Sequence, residues 1–209
     1  GKWCQGSDGR NQDLINPATE EILGRVPLAN ESDLELAIAA SARGFKTWKN
    51  FTPISRQIIL EKAAQLIQKR ASTIGKILTL EMGKPLTESM LEVAFVVDVT
   101  RWYGEEGKRT YGRIVPSRIP GARQMVVKEP IGPACAFVAW NFPGTNFIRK
   151  VAGALAAGCS ILIKPSEETP GTAVAIARCF QEAGLPDGVL NMVFGIPDEV
   201  SKKVLGSSI

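Results

Sequence analysis

From Ile131 onward the chain repeats one rhythm, a strand-like apolar run, a turn and a helical stretch, and this constrains the fold more tightly than anything else in the sequence. Cys135 to Ala139 reads as a strand and Phe147 to Ala157 as a helix. Ser160 to Ile163 reads as a second strand, Gly171 to Ala183 as a second helix and Val189 to Phe194 as a third strand. Strands alternating with helices build a parallel sheet, because a parallel neighbour is reached only through a crossover that packs on the sheet face. The expectation is an α/β fold with half of a doubly wound, Rossmann-like parallel sheet, since a complete one has about six strands. Leu205 to Ile209 would be the point where a helix hands over to a fourth strand.

The residues before this unit have a different texture. Turn signals at Asp8-Gly9 and Asn16-Pro17 separate Leu14-Ile15 from Ile22 to Val26, which suits short strands. Asn30 or Ser32 can cap a helix carrying Leu34, Ile38 and Ala42. Pro53 opens a second helix with an i, i+4 apolar stripe, a third segment runs from Ser72 to Glu81 and stops at Gly83, and Pro85 starts a fourth reaching about Gly107. Ile114 to Val127, with two prolines, a glycine and alternating segments, suits a β-ribbon. The expected divisions are 1–110, strands and helices; 111–130, a ribbon arm; and 131–209, the parallel unit.

Composition excludes several chemistries. The chain has no histidine, so Ser-His-Asp and Cys-His catalysis and imidazole metal sites are unavailable to these residues. Its net charge of +4 is spread along the chain, which argues against a nucleic-acid footprint and for a solvated mixed surface. No apolar run is long enough to span a membrane and no signal peptide is visible. The four cysteines at 4, 135, 159 and 179 form no CxxC pair, so no metal site is expected. Cys135, Cys159 and Cys179 are expected to be buried small hydrophobes in a reducing, cytoplasmic setting. Gly1 rather than Met at the start implies that residues precede it.

Two polar groups fall at the carboxyl ends of the first two parallel strands, the edge where open α/β sheets bind ligands. Asn141, in Ala139-Trp140-Asn141-Phe142-Pro143-Gly144, either satisfies a turn or aims its amide at an oxyanion, a donor that needs no proton transfer. Lys164 and Glu167, three residues apart, either occupy an exposed charged loop or bracket a ribose diol, one donating and the other accepting. A GxGxxG phosphate turn is missing, which by itself speaks against a dinucleotide.

Trp140-Asn141-Phe142-Pro143 resembles the signature of the aldehyde dehydrogenase family, and Lys164-Pro165-Ser166-Glu167 resembles that family's ribose-binding segment. Asn16-Pro17-Ala18-Thr19, Glu81-Met82-Gly83-Lys84-Pro85, Ala154-Leu155-Ala156-Ala157-Gly158 and Glu182-Ala183-Gly184-Leu185-Pro186 match in order and spacing, so the likeness covers essentially the whole chain. The family binds its dinucleotide without GxGxxG. By this resemblance Asn141 donates to the oxyanion of a thiohemiacetal, and Lys164 and Glu167 hold the adenosine ribose of NAD, NADP being the other possibility. Phe137, Val138, Ala139 and Trp140 line the cofactor channel and Gly195 lies near its adenine side. The strands around Arg113 and Met125 to Lys128 form an arm that joins copies into a dimer or tetramer. The family's chemistry is thiolate attack on an aldehyde, hydride transfer to the nicotinamide and hydrolysis of the thioester.

Two features depart from the pattern. Ala139 stands where the family usually has Pro, and the nucleophilic cysteine and general-base glutamate of the family are expected beyond Ile209. None of the four cysteines matches the nucleophile's motif, so the 209 residues alone are expected to be inactive. A same-fold reductase of activated acyl groups and a non-catalytic dinucleotide-binding or assembly module are the other readings; the Asn141 and Lys164 to Glu167 motifs suit the dehydrogenase better.

Arg149 points to the substrate class. It falls eight residues after Asn141, about two turns into the next helix. Its guanidinium can meet a substrate carboxylate bidentately or form an ion pair with a glutamate of the family's second half. Arg149-Lys150-Val151 is similar to the segment in succinate-semialdehyde dehydrogenases where an arginine grips the far carboxylate. The resemblance therefore implies a short semialdehyde acid, with Arg149 and Phe142 on its channel.

Overall fold

The computed structural model describes residues 1–208. An antiparallel hairpin, β1 (Asn11–Ile15) and β2 (Ile22–Pro27), leads into α1 (Glu31–Trp48), α2 (Pro53–Lys69), α3 (Ala71–Met82) and α4 (Leu86–Gly107). Their starts follow the expected signals. Asn30 caps α1 in a capping box with Asp33, and Thr52 caps α2 with Pro53 at its first position. α3 ends at Gly83, whose φ of 82° is left-handed. A side chain there would carry that strain and press Pro17 at 2.9 Å.

The ribbon is β3 (Arg113–Pro116) paired antiparallel with β4 (Arg123–Val126), in a register that sets Ile114 opposite Met125. Both of these side chains are exposed, at 69% and 75%.

The parallel unit follows as β5 (Ala134–Phe137), α5 (Pro143–Ala156), β6 (Ile161–Lys164), α6 (Pro170–Glu182), β7 (Leu190–Met192) and α7 (Pro197–Leu205). The sheet order is β5-β6-β7, all parallel, as the half-sheet reading requires. β6 is central and buried on both faces. Ile161 and Ile163 join the main core with Phe147, Leu155, Ile176 and Phe180 of α5 and α6, and with Leu60, Ile67 and Val96 of α2 and α4. Leu162 points the other way, into a smaller core with Leu34 of α1 and Val200 of α7.

Three expectations change. Cys135 is exposed, although Cys159 and Cys179 are buried as expected. Cys135 pairs with Leu162 across the sheet and shares its face, but β5 is an edge strand and the cover over Leu162 does not extend to it. β5 and β7 are both edge strands of this sheet, and α1 packs against β7. The first strand also ends at Phe137 rather than Ala139, and its helix begins at Pro143 rather than Phe147.

Both sheet-covering helices are gripped at their ends by charged groups of the helical segment. At the C-terminus of α5, Arg56 Nη1 donates to the Ala156 carbonyl at 2.9 Å, and Trp48 Nε1 donates to that of Leu155 at 2.9 Å. Near the C-terminus of α6, Arg70 makes a two-point pair with Glu182 at 2.8 and 2.6 Å. Cations belong at this end of a helix, where the unpaired carbonyls carry partial negative charge.

Candidate functional site

The starts of α5 and α6 lack a side-chain cap from their own N-cap residues, Phe142 and Thr169. Two buried glutamates from elsewhere supply it. Glu92 of α4 accepts from the backbone N–H of Thr145 at 2.9 Å through Oε1, while its Oε2 pairs with Lys84 Nζ at 2.5 Å. Glu81 of α3 accepts from the N–H groups of Gly171 and Thr172, at 2.6 and 3.0 Å, and from the Thr172 hydroxyl at 3.1 Å. Burial pushes the Glu81 carboxyl above its ordinary value, and those donors only partly offset it. The reversal at Gly83 lets one short segment serve both helices, Glu81 before it and Lys84 after it.

These anchors fix the two turns singled out in the sequence. Asn141 sits in the turn between β5 and α5, so it is a turn residue, and it is also exposed at the sheet's carboxyl edge. Its Oδ1 accepts from Asn146 Nδ2 at 3.2 Å, which leaves its own NH2 available as a donor. Lys84 Nζ lies 4.2 Å from the ring centroid of Phe142, holding that ring beside the turn. Trp140 and Ala139 are exposed beside it, whereas Val138 is buried and donates its N–H to the Lys164 carbonyl at 3.0 Å.

The Lys164 turn is not an exposed charged loop. Lys164 and Glu167 are both buried and paired, with Nζ 2.7 Å from each carboxylate oxygen. Glu167 Oε1 also accepts from the Gly195 N–H at 2.9 Å, which ties the turn after β6 to the loop after β7. A side chain at Gly195 would meet Val200 at 2.9 Å, so the close approach needs glycine. Lys164 and Phe137 line a narrow groove between the sheet and α7, with Leu162, Val193, Val200 and Val204 as its apolar wall.

Phe142 and Arg149 meet on a separate open cleft of about 270 Å³, whose further walls are Glu88, Leu91, Glu92 and Phe95 of α4 and Thr145 of α5. The Arg149 guanidinium stacks over the Phe95 ring at 5.3 Å and makes no ion pair among the described residues. The structure thus brings Phe142 and Arg149 together beside Asn141, and Lys164 and Glu167, after the adjacent strand β6, together with Gly195, after β7.

Sequence reasoning missed Glu92 and Asn146 as site residues and took Glu81 and Lys84 only as part of a motif. The available signal was placement. Glu92 falls on the buried face of α4 with Ser89, Val93 and Val96, where a carboxylate must have partners.

The aldehyde dehydrogenase family model matches residues 3–208. A 4-(hydroxymethyl)benzenesulfonate dehydrogenase of Comamonas testosteroni is 39% identical over 209 residues, 100% of this chain and 44% of that protein. The succinate semialdehyde dehydrogenase of Acinetobacter baylyi is 39% identical over 207 residues, 99% of this chain and 43% of its own length. The chain thus spans less than half the length of these relatives. The solved structure of a succinate-semialdehyde dehydrogenase from Burkholderia pseudomallei superposes with a TM-score of 0.97 at 38% identity, over 99% of this chain and 43% of that one. A betaine aldehyde dehydrogenase of Staphylococcus aureus, solved in complex with NAD+, gives 0.94 at 31% identity, over 97% of this chain and 41% of that one. The match takes in the helical segment, the ribbon and the parallel unit alike, and the chain belongs to the aldehyde dehydrogenase family.

Proposed function

We propose that this chain is the cofactor-binding half of a dehydrogenase that oxidises a short semialdehyde acid, succinate semialdehyde first, with NAD+. The observation that carries the substrate class is the Arg149 cleft: a guanidinium that makes no ion pair among the described residues, stacked on Phe95 in a cleft shared with Phe142, the residue after Asn141. A guanidinium that makes no ion pair within the chain can take an anion, and a carboxylate meets it with two parallel hydrogen bonds. The relatives named for a sulfonate and for semialdehyde acids support an anionic substrate.

Asn141 donates its amide N–H to the oxygen of the attacked carbonyl as negative charge builds there. Phe142 and Phe95 exclude water, and Arg149 fixes the far carboxylate so that the aldehyde end reaches Asn141. When bound, the nicotinamide supplies the hydride acceptor. Lys164, Glu167 and Gly195 hold the adenosine side, with Phe137 to Trp140 along the channel. We assign the nucleophile to none of the four cysteines: Cys159 and Cys179 are buried, and Cys4 and Cys135 lie outside both turns. The 209 residues alone therefore give no turnover.

NAD+ is the preferred dinucleotide in this reading. A 2′-phosphate would meet the Glu167 carboxylate. Lys202 pairs with Asp198, and Lys203 with Glu31 and Glu35. Equal efficiency with NAD+ and NADP+ would remove this assignment. The exposed Ile114 and Met125 on the ribbon support pairing with a second copy into a dimer or tetramer. The four free thiols suit the cytoplasm.

The test of the substrate class uses the complete enzyme that carries this segment. Arg149→Ala loses about 2–4 kcal/mol of transition-state binding for succinate semialdehyde, the cost of leaving a desolvated carboxylate unpaired. It loses little for butanal. An equal loss on both substrates would show Arg149 holding the fold and end the assignment.

A further inference from the structure

Asn146 stands in the first turn of α5, five residues after Asn141. Its Nδ2 donates to Asn141 Oδ1 at 3.2 Å, and its backbone N–H donates to the Phe142 carbonyl at 2.8 Å. The same turn is clamped by Glu92 on Thr145 N–H, and by Lys84 against the Phe142 ring. The backbone that carries Asn146 is therefore held in place independently of Asn141.

A carboxamide has a donor end and an acceptor end of nearly identical shape. Its last torsion has two broad wells, so an unrestrained amide turns over at little cost. For Asn141 the two orientations are chemically opposite. With NH2 outward it stabilises an oxyanion; with the carbonyl outward it repels one. The hydrogen bond from Asn146 Nδ2 to Asn141 Oδ1 selects the first.

We propose that Asn146 is a positioning residue that sets the polarity of the Asn141 amide, holding its carbonyl inward so that its NH2 faces the reacting carbonyl oxygen. This rests on the reading of Asn141 as oxyanion donor.

The experiment compares isosteres in the complete enzyme. Asn146→Asp places an acceptor-only carboxylate where the donor was, drawing the Asn141 NH2 inward. It is expected to lower kcat about 100-fold, the scale of losing one oxyanion donor, with KM for aldehyde and for NAD+ unchanged. Asn146→Leu removes the restraint without reversing it and is expected to cost roughly tenfold or less on the same scale. Acidification that protonates the new carboxyl restores a donor, so the activity of Asn146→Asp relative to the unaltered enzyme rises as pH falls. An aspartate in the first turn of a helix suits its dipole, and an unchanged Tm verifies that the fold survives. If Tm falls instead, the double variant decides. Asn146→Leu costs nothing further in an Asn141→Ala background when it acts through Asn141, and multiplied losses overturn the proposal.

An Asn146→Asp loss no greater than that of Asn146→Leu, with a flat relative pH profile, also overturns it. Asn141→Ala separates the two layers. If that variant keeps full kcat, the oxyanion reading itself falls. If it is inactive while Asn146→Asp behaves as the unaltered enzyme, only the role of Asn146 falls.

Discussion

The turn after β5 and the turn after β6 are built on the same plan and differ in how their charge is balanced. Each starts a helix that has no cap of its own, and each borrows a buried glutamate from the helical segment. Glu92, at the Asn141 turn, is matched by Lys84. Glu81, behind the Lys164 turn, faces only N–H and O–H donors, and burial raises its pKa. The ammonium at the second turn, Lys164, is matched instead by Glu167, within the turn itself. One turn is therefore held from outside by an ion pair and presents a neutral amide. The other is capped by a lone acid and holds its own ion pair facing the groove. A neutral donor suits developing charge, and a fixed ammonium and carboxylate suit a diol.

The sharpest break in this comparison is expected at Glu92. Glu92→Gln keeps an acceptor for Thr145 but leaves the Lys84 ammonium buried without its counter-charge, and such a loss costs about 3–5 kcal/mol of stability. Denaturant unfolding measures it, and kcat should fall with it because the Asn141 turn loses its anchor. Glu81→Gln is the matched control. It gives up a charge–dipole interaction but also relieves the burial of an unpaired acid, so the net change near neutral pH is within about 1 kcal/mol. Equal destabilisation by the two changes would show that the two caps do not differ in kind.

The smaller effect is one of pH. The folded chain holds the Glu81 proton more tightly than the unfolded chain, whose glutamate titrates near its ordinary value of 4.5. The stability linked to this group is fully present below that value and is lost as pH rises through the raised folded pKa. Glu81→Gln should flatten that part of the stability profile, and Glu92→Gln should leave it in place. A profile unaltered by Glu81→Gln would mean that the carboxyl titrates alike in both states.

What the sequence revealed and what it hid follow the range of the interactions involved. Asn30, Thr52, Pro53 and Gly83 act within a few residues of themselves, and the helix limits they set were legible. The parallel half-sheet was legible because β6 must be apolar on both faces. Cys135 was misjudged because strand order, not strand composition, decides which strand lies at the edge. The Lys164–Glu167 pair looked like a surface loop because its burial comes from the loop after β7, 28 residues on, through Gly195. Glu81 and Glu92 reach their helices across 90 and 53 residues, a distance no local pattern spans.

The central claim is that the two turns divide the work, the first serving the chemical step and the second the dinucleotide. Steady-state kinetics and NAD+ titration of Asn141→Ala and Glu167→Asp in the complete enzyme test it directly; the aspartate keeps a charge opposite Lys164 while shortening its reach. Asn141→Ala should lower kcat about 100- to 1000-fold and leave NAD+ affinity unchanged. Glu167→Asp should weaken NAD+ binding and leave kcat at saturating NAD+ unchanged. Both variants shifting kcat and NAD+ affinity together would contradict the division.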